Sequence, residues 1–215
     1  MRHLFIFFAV IAPLLGLDIC LMSEATDAAP RNTAEIAQAV RQPAAARHYT
    51  NHTASTAAPE IVTLQIDGSF NADDRAKVLL AVEEWNHALN GYVRFDVASS
   101  GGWRPHAWNI RAERGGSPDA PDGSAGQPLS FTQVGFASFG GRMVIYVDRI
   151  GTRDLRGIVL HELGHVLGLD HDPRGNLMSA RYSSIAGQCV DKPTAERIAA
   201  LRKLPLDGLN WCEPM

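Results

Sequence analysis

The chain has 215 residues, 46% of them apolar and 20% charged. That length and balance suit one medium-sized globular domain with a real core, rather than two domains or a disordered chain. A formal charge of -3 and a pI near 6.2 leave no basic footprint, which excludes nucleic acid as the expected partner.

Arg2 and His3 precede an apolar run over 4–17 that Asp18 interrupts. A positive end followed by an apolar stretch shorter than a bilayer-spanning helix has the form of a secretory signal. With Ser23-Glu24-Ala25 as the cleavage region, 1–25 reads as a signal peptide; the alternative is an uncleaved anchor. Cys20 makes a poor lipidation site, because Asp18 and Ile19 stand where small residues are wanted. The mature protein is expected outside the cell or in the periplasm, without a stable membrane span and as a monomer. Residues 26–58 are rich in Ala, Thr and Pro and bury too little to offset their ordering entropy. They are expected to be a disordered pro-segment or linker, with the domain proper over 59–215.

Within that domain, 61–66 alternates and predicts a strand. Asn71 opens a helix on which Val78, Leu79, Val82, Trp85 and Leu89 keep helical spacing, and Gly91 ends it. Strands are expected over 92–98 and 106–114, the latter alternating Trp108, Ile110 and Ala112. A Gly/Pro/Asp-rich loop over 115–128 follows. Gly140-Gly141 joins 134–139 and 142–148 as a hairpin. A helix over 152–167, with Asp154 in its first turn, carries Leu155, Ile158, Val159, Leu163, Val166 and Leu167 on a wide apolar face. A last helix spans about 193–204, with Ile198, Leu201 and Leu204 inward. Strands come before the main helices and no repeat is visible, so the fold expected is α+β with a mixed sheet.

Residues 161–172 read HELGHVLGLDHD. His161 and His165 are four apart on a helix, so both imidazoles leave one face a single turn apart, a spacing that a tetrahedral zinc ion with bonds of about 2.0–2.1 Å can bridge. Glu162 points beside that face, able to reach a water without ligating metal. Gly168 suits the left-handed residue that ends a helix, after which the chain can bring His171 back to the same point. Three protein ligands leave a fourth position open, the mark of a catalytic rather than a structural zinc.

HELGHVLGLDH followed by Met178 resembles the metzincin clan of zinc endopeptidases. The resemblance implies a metzincin-like fold, a secreted zinc metalloprotease acting on protein or peptide substrates, and His161, His165 and His171 as the metal ligands. It implies Glu162 as general base toward the attacking water, and Met178 as the Met-turn residue packed beneath the site. The short step from His171 to Met178, and Tyr182 four beyond it, are similar to matrixins, in which residues after the methionine wall a substrate pocket. Asp172 is similar to the adamalysins, in which that position helps support the site. Ala180 stands where matrixins usually carry proline and where astacins and serralysins carry a zinc-binding tyrosine. No cysteine-switch motif occurs upstream. By analogy, an extended peptide would add itself to an edge strand at 134–139.

Cys189 and Cys212 remain after signal removal and are expected to pair across the last helix in an oxidising compartment; two separate thiols are the alternative. Asp119 and Asp122 offer oxygens that suit calcium, but without a specific loop spacing. His48, His52, His87 and His106 show no ligand spacing, and Trp103 and Trp108 read as core. The competing function is a non-catalytic, zinc-stabilised extracellular binding module, which gives Glu162 no reason to stand where it does.

Overall fold

The computed structural model describes residues 48–98, 106–114, 134–138, 140–180 and 189–213. Among these residues, five strands, β1 (Glu60–Ile66), β2 (Val93–Val97), β3 (Trp108–Glu113), β4 (Gly135–Ser138) and β5 (Arg142–Tyr146), and three helices, α1 (Ala72–Leu89), α2 (Leu155–Val166) and α3 (Lys192–Arg202), follow in the order β1-α1-β2-β3-β4-β5-α2-α3. The strands make one sheet in the order β2-β1-β3-β5-β4. Every pairing is parallel except the antiparallel edge pair β4 and β5. The fold is therefore α+β around a mixed sheet, as the order of elements predicts. Gly141, at φ +76°, makes the tight turn that joins the edge hairpin.

Period-two alternation sends Leu64, Ile66, Ile110, Met143 and Ile145 into one core with Val78, Val82, Trp85 and Leu89 of α1. On the opposite face Phe136, Val144 and Tyr146 form a second buried cluster. The indole N–H of fully buried Trp85 donates to the Leu160 carbonyl at 2.8 Å, tying α1 to α2 one residue before His161.

Several boundaries differ from expectation for local reasons. Asp154 is the N-cap of α2 rather than a first-turn residue, its carboxylate accepting from the Arg156 N–H. Asn90 adopts the left-handed conformation that closes α1, with Gly91 beside it at φ +86°. All of α2 except Arg156 is buried, so the expected apolar stripe is only part of a helix enclosed on every side. Leu201 is not inward: it is 52% exposed. Thr194, Ala195, Ile198 and Ala199 carry the buried face of α3, while Leu201 reaches over the turn at Gly168.

Residues 48–58, expected to belong to a disordered pro-segment or linker, make backbone contacts with the C-terminal residues. Tyr49 forms an antiparallel bridge with Cys212, Thr50 N–H donates to the Trp211 carbonyl at 3.0 Å, and His52 N–H donates to Asn210 Oδ1 at 2.8 Å. Ordering here comes from backbone pairing, which a low apolar content does not preclude.

Cys189 and Cys212 are disulfide-bonded and bracket α3, 23 residues apart. Replacing both by Ser is expected to lower the unfolding free energy by about 3 kcal/mol, from the chain entropy released when a loop of this size is no longer closed. Urea midpoints of the two proteins check this, and coincident midpoints would deny the bond a stabilising role.

Candidate metal centre

The three histidines predicted from the helix spacing do converge. One ring nitrogen from each of His161, His165 and His171 lies within 4.8 Å of the other two, and the ring centroids stand 4.8, 5.3 and 4.9 Å apart. Two of them come from successive turns of α2. The third arrives from outside the helix because Gly168, at φ +91°, reverses the chain, the Leu169 N–H closing back onto the Gly164 carbonyl at 3.0 Å.

The tautomers follow from the partners. His161 Nδ1 meets the Leu177 carbonyl at 2.6 Å, and His165 Nδ1 meets the Leu169 carbonyl at 2.7 Å. A carbonyl only accepts, so each Nδ1 carries the proton and each Nε2 presents a lone pair. Those two Nε2 atoms are 3.1 Å apart. Two lone pairs repel at that distance unless a cation lies between them. A tetrahedral zinc with bonds of about 2.0–2.1 Å separates its ligand nitrogens by about 3.3 Å, so the donor set fits that ion. Burial and the neighbouring His165 hold the His161 pKa well below its ordinary value, against the opposing pull of the Leu177 carbonyl; His171 lowers it further. A ring kept neutral is the form that ligates metal.

Glu162 lies on the same turn and is fully buried. The edge strand accommodates it through Gly135, where a Cβ would stand 2.9 Å from Glu162 Oε1 and 3.1 Å from the Val144 carbonyl. Met178 is also fully buried. It packs against Gly164, at which a Cβ would overlap the methionine sulfur. Asp172 follows the third histidine and is gripped by Arg174 through Nε and Nη2 at 2.7–3.1 Å. Side-chain and backbone hydrogen bonds from Arg174 hold its carboxyl down to about 2. The Asp172 N–H donates to the Met178 carbonyl at 2.7 Å, which closes the loop.

Three contributors were not singled out in the sequence. Asp191 caps α3 and also accepts from the Asn176 and Leu177 N–H groups at 2.5 and 3.2 Å, steadying the carbonyl that orients His161. Arg174 and Gly135 are the others. Asp191, just ahead of Pro193, carries a helix-start signature, but nothing in its local sequence says what else it reaches. Tyr182, Asp119, Asp122 and Trp103 lie outside the described residues. Trp108 packs against the core. Among the described residues His161, His165 and His171 are the sole cluster of metal-ligating side chains, and no helix is long and apolar enough to cross a membrane.

These groups predict a two-stage acid response for the metal-free protein. The His161 pKa is lowered by folding, so the unfolded chain takes up that proton first. Stability is therefore full above the ordinary value of 6.5 and falls as pH drops below it. The Asp172 contribution is full above 3.8 and is lost only as pH falls toward 2. Asp172→Asn is expected to remove the second stage and leave the first. Melting temperatures of chelator-treated protein from pH 8 to 2.5 check this, and a flat profile between pH 7 and 5 would contradict it.

A mixed sheet, a buried helix bearing two histidines, a third beyond a glycine reversal and a methionine packed below them fit an α+β metzincin fold. The matrixin family model matches residues 50–203, and the chain belongs to that family of metallopeptidases. Comparison with curated proteins finds no match. Forty-five chains of solved structures match. One of these is metalloproteinase-II from Bacteroides fragilis, at 16% identity and a TM-score of 0.43, with the match covering 79% of this chain and 61% of that one.

Proposed function

We propose that this matrixin-family metallopeptidase is a secreted zinc endopeptidase that uses Glu162 as its proton carrier. The observation that carries the reading is the convergence of three imidazole nitrogens within 4.8 Å, beside a buried carboxylate at the second position of the motif. His161, His165 and His171 would hold the ion. When bound there, zinc supplies a Lewis acid that polarises a peptide carbonyl and renders water acidic near neutral pH. The Glu162 carboxylate accepts the proton of the attacking water and delivers it to the amine nitrogen as the C–N bond breaks. Burial strengthens that proton exchange by excluding competing solvent.

The peptide would lie extended along β4. This strand is at the edge of the sheet and its Gly135 is packed against Glu162, so an added strand would bring its scissile bond beside the carboxylate. Tyr182 is proposed to line the pocket for the residue after the cleaved bond. The disulfide supports an oxidising destination, consistent with 1–25 as a removed signal and the following stretch, up to the folded residues, as pro-segment or linker.

The test is hydrolysis of a quenched peptide library by purified protein, abolished by a chelator and restored by one equivalent of zinc. Protein that holds one zinc per chain and cleaves nothing in the library would overturn the endopeptidase reading in favour of a zinc-stabilised binding module.

A further inference from the structure

His161 and His165 are set by their helix, but His171 stands on a loop, where the main chain must be held before the ring can be aimed. Arg197, on α3, reaches that loop. Its Nη1 donates to the Asp170 carbonyl at 2.8 Å and to the His171 carbonyl at 3.2 Å. The same guanidinium approaches the Asp172 carboxylate at 3.8 Å and that of Asp170 at 3.9 Å. One planar cation thus spans the third ligand and the residues on both sides of it. Arginine's rigid donor fork suits such a grip, because several acceptors are held at little further entropic cost. We propose that Arg197 is a positioning residue for the metal centre, fixing the backbone of His171 so that its ring meets the other two. The inference rests on the zinc reading above and adds to it a residue more than twenty positions downstream of the motif.

The sign of the effect separates positioning from simple electrostatics. Arg197 is a positive charge beside a cation site, so by Coulomb's law alone its removal would tighten zinc binding. If it positions a ligand, removal weakens binding, typically 10- to 100-fold for groups that orient ligands. Arg197→Met keeps the aliphatic stem and loses the donors. Zinc dissociation constants from competition with a chromophoric chelator are expected to rise about 10- to 100-fold in this variant. Arg197→Lys keeps the charge but reduces the donor fork to a single nitrogen, and is expected to recover part of the loss.

Arg202→Met is the control. It removes a guanidinium from the same helix, one that bonds the Leu167 carbonyl at 3.1 Å, ahead of the Gly168 reversal. Zinc affinity within threefold of the parent is expected for it. Unchanged or tighter zinc binding in Arg197→Met overturns the proposal, as does an equal loss in both Met variants. If Arg197→Met does not fold, Arg197→Lys carries the test: weaker binding supports the assignment, and parent-like affinity overturns it. A parent protein that takes up no zinc would overturn the metal centre itself, a result distinct from any of these.

Discussion

Glu162→Gln is expected to lower kcat by about 10²- to 10⁴-fold, the usual contribution of a positioned proton carrier, while zinc stoichiometry and KM stay near those of the parent. Gln preserves the shape of the side chain, which is 0% exposed and bordered by the Gly135 backbone, so the change removes basicity without emptying space. The amide cannot take a proton from water at any working pH. Single-turnover and steady-state cleavage of one peptide, alongside metal analysis, give the comparison. A variant that keeps more than a tenth of the parent kcat would show that Glu162 does not carry the proton.

Trp85→Ala has the largest expected effect on stability. The indole is wholly buried between α1 and the site helix, and truncating a core tryptophan costs about 3–5 kcal/mol in lost transfer energy and cavity formation. It also abolishes the bond from the indole N–H to the Leu160 carbonyl. Trp85→Phe retains most of the bulk and isolates that bond, for which about 1–2 kcal/mol is expected. The Gly164 approach to Met178 lies next to the same ring, 3.5 Å from Cζ2 for an added Cβ, so loosening Trp85 should also loosen the packing under the histidines. Urea unfolding of the zinc-free proteins measures both costs. A loss under about 1 kcal/mol for Trp85→Ala would mean that this contact does not anchor α2.

The acid response and the disulfide act on neighbouring parts of the molecule. His161 responds within the triad, where burial keeps its ring neutral. The disulfide acts on α3, whose Asp191 and Arg197 reach the loop carrying Leu177 and His171. The N-cap and the middle of this covalently tethered helix therefore touch the backbone that carries His171 and the carbonyl that orients His161.

By itself the sequence determined what is local. The spacing of His161 and His165 on one helical face, the glycine at 168 and the third histidine at 171 are consequences of helix geometry and of the conformational freedom of one residue. They are legible because every relevant interaction spans only a few positions. The α+β class, the edge hairpin at Gly140-Gly141 and the pairing of the last two cysteines were legible for similar reasons of pattern and number. Tertiary structure alone decided the rest: the strand order, the enclosure of α2 on every side, the outward position of Leu201, and the attachment of 48–58 to the C-terminus. It alone also brought Asp191 and Arg197 to the loop behind the histidines, and Gly135 to the side of Glu162. Each of these is a contact between residues distant in the chain, formed by burial and hydrogen bonding that no local propensity encodes.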